Sequence, residues 1–372
     1  MSEGIALPAL AAFSTAAILA LLLTPIVRRF AHRFDVLDHP GERRVNTSPV
    51  PRGGGIAVAA AFVITSLGLL AADSLFGIWS ASDAPRASEV VALVGGAALA
   101  ALIGSLDDWF DLRARWQLAG QLVVAGVAVG LGITVTLLAN PFGPGFIRLG
   151  GIFGAVFAVL WILGMINSIN FIDGLDGLSS GVALIAALTL GTISLTGPID
   201  QPAVALFCFA MAGALLGFLR WNLHPASIFV GTSGVMVIGY VLALLSILGS
   251  AKVAVALLVL GVPIIDTFWI IVRRLSQGRS PFSPDRGHIH HRLLELGLSH
   301  AQTVLVIYAV CLALAVLSLV LSGTGQLYAF LGVFVVFGLG LYLLSRAAGG
   351  GRRHLRRATL GAPAHPGRTC SP

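Results

Sequence analysis

The stretch from Leu149 to Gly181 reads LGGIFGAVFAVLWILGMINSINFIDGLDGLSSG, an apolar run long enough to cross a bilayer followed directly by two amides and two carboxylates. The residues Asn167, Asn170, Asp173 and Asp176 recur at every third position. On a continuing helix each side chain turns by roughly 60° from the last, so neighbours share a face and their oxygens converge on one small volume. Gly174 and Gly177 follow the two aspartates, and glycine permits the positive φ of a helix end and the close approach of backbone to a ligand. A single Asp-Gly pair reads as an ordinary turn. Four oxygen-bearing side chains in register at a membrane border read as a site.

The composition agrees. The chain has 372 residues, of which 57% are hydrophobic and 10% charged, against roughly 25% charged in a soluble domain. The fold class expected is an all-α, polytopic membrane helix bundle. Eleven apolar runs qualify as spans: Ile5 to Val27, Gly53 to Ala72, Glu89 to Leu106, Leu118 to Leu138, Leu149 to Ile166, Leu178 to Leu195, Pro202 to Leu219, Ile228 to Leu248, Val253 to Val272, Thr303 to Leu321 and Leu327 to Leu344. The first run starts without a basic region and ends in Thr24-Pro25-Ile26-Val27-Arg28-Arg29, the reverse of a cleavable signal peptide, so it reads as a retained helix. Cys208 and Cys311 fall inside apolar runs and Cys370 in the tail, so no secreted disulfide framework is implied.

If alternate loops are cytoplasmic, that side holds twenty of the 23 basic residues, and the other side only Arg86, Arg148 and Lys252. This positive-inside asymmetry sets the N-terminus outside and the C-terminus inside. Trp109, Trp116, Trp221 and Trp269 fall near the same border, as an aromatic belt does. The net charge of +7 is therefore topological, with no clustered soluble face for a nucleic acid. Residues 1–345 form one membrane domain, and 346–372 form a basic, Gly/Arg/Pro-rich tail that reads as disordered.

Every unusual polar stretch falls on the cytoplasmic side. Asp107-Asp108 ends the third run, and two adjacent acids next to a bilayer call for a cation or donors. With Asp173 and Asp176 they make a divalent-cation or phosphate-chemistry site, or, more plainly, a helix end offering acids to Arg113 and Arg115. Hard oxygen ligands without cysteine clusters favour magnesium over zinc. Asp266, inside the ninth run, is either a functional acid or the partner of an arginine on another helix. The loop Arg279 to Arg292 carries His288, His290 and His291 with Arg286, a set that suits an anionic or sugar ligand. Pro49 to Gly55 opens the second run with three glycines, either to expose backbone N–H groups to an anion or to let helices pack closely.

In this order the motifs resemble the polyprenyl-phosphate N-acetylhexosamine-1-phosphate transferases, the family that also contains the phospho-MurNAc-pentapeptide translocase. The likeness is carried by Asp38-His39-Pro40 with Pro51-Arg52-Gly53-Gly54, Asp107-Asp108 with Leu118 to Gln121, Asn167 to Gly177, Phe229-Val230-Gly231, and Asp285 to His291. The His-Ile-His-His form resembles the branch using UDP-N-acetylhexosamine. The resemblance implies transfer of a sugar 1-phosphate from a UDP-sugar to polyprenyl phosphate with release of UMP, initiating a cell-envelope glycan at the inner face of a bacterial membrane. It implies catalytic Asp107, Asp108, Asp173 and Asp176, and magnesium or manganese at Asp173 and Asp176. It implies substrate binding by Asn167, Asn170, Arg52, Arg286, His288, His290 and His291, and a possible homodimer.

Three positions depart from the family pattern. Thr232 stands where the resemblance implies the principal metal-binding Asp, Gln117 where it implies Lys, and Asn46 where it implies His. A hydroxyl can ligate magnesium but brings no charge, which leaves a place for Asp266 or Asp176 to substitute. The departures leave a second reading open, a degenerate paralogue that binds lipid phosphate or nucleotide without turnover. An ion-coupled transporter calls for acids near the bilayer midplane and internal symmetry, whereas these acids lie at one border and no repeat is visible.

Overall fold

The computed structural model describes residues 4–40, 48–79, 84–140, 142–143, 145–196, 201–249, 253–278, 288–321, 323–336 and 338–340. Arg44, Asn46, Arg286 and the tail from 346 lie outside the described residues.

Among the described residues the chain is a helix bundle with two small antiparallel strand pairs. Helix α1 (Ala6–Arg33) leads to β1 (Leu37–Asp38) and β2 (Val50–Pro51), an antiparallel pair in the register Leu37↔Pro51 and Asp38↔Val50. Then come α2 (Gly55–Phe76), α3 (Ala87–Val90), a π turn (Val91–Gly95), α4 (Gly96–Phe110) and α5 (Ala114–Gly130). Strands β3 (Leu137–Ala139) and β4 (Phe146–Arg148) form the second pair. The rest is helical: α6 (Gly151–Ile172), α7 (Leu178–Leu195), α8 (Pro202–Asn222), α9 (Gly231–Leu248), α10 (Val253–Val259), α11 (Gly261–Ser276), α12 (Ile289–Glu295) and α13 (His300–Val320).

Among the described residues, eight helices are long and apolar enough to cross a membrane, nine if one bent pair is a single span. This is a polytopic bundle, and three of the eleven expected runs take other forms. The fourth leaves its helix at Gly130, turns through Gly132 at φ 94°, and continues through the β-branched Ile133-Thr134-Val135-Thr136 into β3. The ninth breaks into α10 and α11 with a bend of 79°. The break falls at Leu260, just before Gly261 and Pro263, residues that weaken a continuing helix. The eleventh is the shorter apolar helix Thr324–Gly340.

Without a hydrophobic drive between helices in lipid, close backbone approach decides which helices pair. The α1–α8 contact follows that rule: α1 buries Ala9, Ala12, Ala16 and Ala20, and a Cβ on Gly213 or Gly217 of α8 would collide with the carbonyls of Phe13 and Ala17. Helix α9 is the axis of the bundle, buried continuously from Ser233 to Ser246. A Cβ at Gly104 of α4 would strike the backbone of Ser233, and one at Gly239 would strike Ile166 of α6. Gly54 and Gly55 spend their N–H groups on the carbonyls of Phe229 and Val230, both at 2.9 Å. Gly54 and Gly55 therefore serve packing against the start of α9. The α4–α9 pair is tied again where Tyr240 donates to the carbonyl of Ala92 in the π turn at 2.6 Å.

Candidate active site

The packing brings the C-terminal ends of α4, α6 and α8 to the same end of the bundle as the N-terminal ends of α2, α5, α7, α9 and α13. A cleft of about 530 Å³ opens there, lined by Asp38, Arg52, Asp108, Asn170, Asp173, Asp176, His224, Thr232 and His291 among others.

Asp108 sits at the start of α9. Its Oδ1 accepts from the Thr232 amide at 2.7 Å and its Oδ2 from the Ser233 amide at 3.0 Å, so the helix N-terminus offsets part of the cost of burying it. Gly231, at φ 71°, makes this possible: a Cβ there would lie 2.7 Å from both Asp108 oxygens. Asp107 turns the other way. It accepts from the Leu112 amide at 3.1 Å, from Gln117 Nε2 at 3.0 and 3.1 Å, and from Thr232 Oγ1 at 2.5 Å. The partners of both acids are amides and a hydroxyl, where an arginine pairing was one expectation.

The expected continuous helix through Asp176 ends at Ile172. Asp173 is the C-cap of α6, and the chain turns through Gly177 at φ 79° into α7. Only part of the three-residue series therefore faces the cleft. Asn170, Asp173 and Asp176 line it, whereas Asn167 points at α5, donating to Gln121 Oε1 at 2.7 Å and to its own helix at Leu163 O at 2.8 Å. Ser179 donates to Asp173 Oδ1 at 2.5 Å. Burial pushes the Asp173 carboxyl up to about 7 against the Ser179 bond, with Asp108 and Asp176 adding to the rise.

Asp176 accepts from the Ala226 amide at 3.1 Å and from His224 Nδ1 at 2.7 Å. The His224 ring stacks on His300 at 4.1 Å, and ligand atoms of Asp176, His224 and His300 lie within 4.8 Å of one another. Asn222 braces the same turn: its Oδ1 accepts from the Gly177 amide at 3.2 Å and from Ser180 Oγ at 2.7 Å. Sequence reading did not single out Asn222, His224 or His300. Each is a lone polar residue whose partner is 42 to 124 positions away, so no local spacing marks it.

Arg52 binds Asp38 through Nε at 2.7 Å and through a terminal nitrogen, and reaches Asp111 at 3.4 Å. The β1–β2 pairing sets that contact by placing Asp38 opposite Val50, next to the arginine.

The histidines divide. His291 lines the cleft. His290 packs against Gly174, where a Cβ would collide with its ring, and burial with His291, His288 and His300 nearby pushes it down to about 3. It is a neutral imidazole at working pH. His288 lies away from the cleft, its Nδ1 2.8 Å from Asp266 Oδ2. Of the two readings of Asp266, the arginine pair is not formed among the described residues: its side-chain partner is His288.

The donor set suits a hard divalent cation. Asp173 and Asp176 bring carboxylates to the lining of one cleft without sulfur ligands.

Residues 90–250 match the family model for glycosyl transferase family 4. A Bacillus subtilis protein named "Probable undecaprenyl-phosphate N-acetylglucosaminyl 1-phosphate transferase" is 34% identical over 338 residues, covering 89% of each chain. A decaprenyl-phosphate N-acetylglucosaminephosphotransferase of Mycolicibacterium smegmatis is 34% identical over 89% of this chain and 86% of its own. An undecaprenyl-phosphate alpha-N-acetylglucosaminyl 1-phosphate transferase of Thermotoga maritima is 31% identical over 86% and 92%. Likeness of this extent, spanning the acid pair, the acidic turn and the start of α9, makes the chain a member of glycosyl transferase family 4.

Proposed function

We propose that the protein transfers N-acetylhexosamine 1-phosphate from a UDP-sugar to polyprenyl phosphate, releasing UMP and leaving a lipid-linked diphosphate sugar. The reaction would run at the cytoplasmic face of a bacterial inner membrane, initiating a cell-envelope glycan, in a multi-pass chain with its N-terminus outside. The observation that carries this reading is the cleft in which Asp108, Asn170, Asp173, Asp176, Arg52 and His291 meet at one end of the bundle. Among the described residues, Arg28, Arg29, Arg33, Arg113, Arg115, Arg220, Arg273, Arg274 and Arg292 lie at the helix termini on that side, and the names of the relatives supply the substrate class.

In the reaction a lipid phosphate oxygen bonds to the sugar-bearing phosphorus. The bond from that phosphorus to the oxygen bridging to UMP breaks, and UMP leaves with the electron pair. Two anions must meet, so charge neutralisation and alignment carry most of the catalysis. Asp173 and Asp176 would hold magnesium or manganese, which supplies positive charge to the diphosphate. Arg52, fixed by Asp38, offers a cationic edge to the cleft, and His291 offers hydrogen bonds to the sugar diphosphate. Asp108, held by the α9 amides, keeps a fixed orientation. Asp107, on the side of a smaller pocket with Trp116, Gln117 and Asn170, would position the lipid phosphate.

The degenerate-paralogue reading rests on Thr232, Gln117 and Asn46, of which the first two are among the described residues. Both donate to Asp107. Relative to the pattern the resemblance implies, one acid and one lysine are replaced together by neutral groups, so the local charge is unchanged. That balance favours an adapted site over a damaged one. The test is transfer of radiolabelled sugar phosphate from a panel of UDP-N-acetylhexosamines to polyprenyl phosphate by purified protein, with and without magnesium. Product that disappears with EDTA and with Asp107→Asn supports the transferase. A protein that binds UDP-sugar but makes no product across the panel would leave the paralogue in its place.

A further inference from the structure

Asp266 is fully buried in α11, just beyond the 79° bend, and does not line the cleft. A carboxylate in that position is costly unless donors surround it. Two do, and both come from the start of α12: His288 Nδ1 lies 2.8 Å from Oδ2, and the Ile289 amide donates to Oδ1 at 3.0 Å. The carboxylate therefore caps α12 from another helix and fixes the proton of His288 on Nδ1.

From there the contacts run toward the cleft. The His288 ring lies 5.4 Å from that of Phe171, at the end of α6, and stacks on His290 at 5.6 Å and 8°. His290 fills the space left by the missing side chain of Gly174, between Asp173 and Asp176. His291 stands three residues after His288, and lines the cleft. The short helix is thus held at one end by Asp266 and on its side by the acidic turn.

We infer that Asp266 is a positioning residue: through His288 and the Ile289 amide it seats α12 so that His291 meets the donor substrate. The inference rests on the transferase reading of the cleft and assigns the bend at Leu260 a purpose. The bend sets α11 at an angle to α10, with the buried acid against the histidine turn. A merely structural clamp would change stability and leave donor affinity alone.

The test compares wild type, Asp266→Asn, His291→Ala and the double variant, reading steady-state transfer and, separately, binding of UDP-N-acetylglucosamine by calorimetry. Asn keeps the shape of the side chain and loses its charge. Carboxylates bonded to metal-ligating histidines are commonly worth about 10- to 100-fold. Asp266 acts on His291 at one remove, through His288, so a loss at the lower end of that range, about 10-fold, is expected in kcat/KM for the donor and in donor affinity, with KM for polyprenyl phosphate unmoved. In the His291→Ala background the same change should add less than about threefold, since coupled residues are not additive. Ile289→Pro, read against Ile289→Ala as a control for the lost core packing of the Ile289 side chain, offers a second variant should Asp266→Asn not fold: proline is tolerated at the first helical position and removes the amide donor. It should weaken donor affinity several-fold.

Donor affinity within twofold of wild type in both Asp266→Asn and Ile289→Pro would overturn the inference, as would losses that multiply in the double variant. Wild-type protein that binds donor but transfers nothing would instead overturn the transferase reading, and the binding arm would still decide the role of Asp266.

Discussion

Replacing Thr232 by aspartate, alone and together with Gln117→Lys, tests whether Asp107 is balanced by neutral donors. Thr232 Oγ1 lies 2.5 Å from Asp107 Oδ2, and Gln117 Nε2 lies 3.0 and 3.1 Å from its two oxygens. A carboxylate introduced at 232 would face the first with charge centres about 4 Å apart, a repulsion of about 4 kcal/mol at an effective dielectric near 20. An ammonium introduced at 117 would meet the same carboxylate at a similar distance and offset a comparable amount. Thr232→Asp alone is therefore expected to destabilise the metal-free protein by up to about 4 kcal/mol and to depress transfer, with the double variant returning to within about 1 kcal/mol of the parent. Magnesium should recover much of the loss in the single variant. Unfolding of the four proteins in detergent with EDTA, alongside transfer at fixed magnesium, reads both. A coupling energy below about 1 kcal/mol, or a gain in transfer from Thr232→Asp alone, refutes the reasoning.

Two further outcomes follow from the geometry. Asp173 titrates at about 7 in the fold against an ordinary 3.8 for an unfolded chain, so the folded state binds more protons across that interval. Stability of the metal-free protein should accordingly fall as pH rises from about 4 to 7, and Asp173→Asn should flatten that slope in a series of melts in EDTA. Gly231→Ala combines a positive φ with a Cβ 2.7 Å from both Asp108 oxygens. It should cost about 1–3 kcal/mol and free Asp108 from the α9 amides, so a melting temperature equal to wild type would show that α9 does not hold this acid.

Much of this architecture is legible along the chain because lipid demands long apolar runs, and each of the eleven runs contains a helix. What escapes the pattern is where a run stops being straight. Hydropathy does not register that Gly132 and the β-branched residues after it end α5, or that Leu260 interrupts the ninth run. The acids were legible because they break apolar runs at one border, but their partners were not. Thr232 and Asp107 are separated by 125 positions and meet only because α4 and α9 touch at Gly104. Asn167 shows the limit of periodicity: its spacing from Asn170 is regular, yet Gln121 of α5 draws it out of the cleft. Asp266 could be read as a functional acid or as an arginine's partner, but its histidine partner was not legible, because no pattern in the sequence joins a helix interior to a histidine turn 22 residues on.

The two donors that hold Asp108 are the main-chain amides of Thr232 and Ser233. Any residue other than proline supplies the same N–H, so at the partly exposed position 232 the orientation of this acid is insulated from substitution, whereas Ser233 is fully buried and admits no larger side chain without a shift. Drift at 232 can thus alter what touches Asp107 while leaving Asp108 in place. The constraint falls instead on Gly231 and Gly104, which carry no chemistry and whose side-chain space is already filled. In this family member, the cost of mutational change is expected to be highest where the sequence looks least informative.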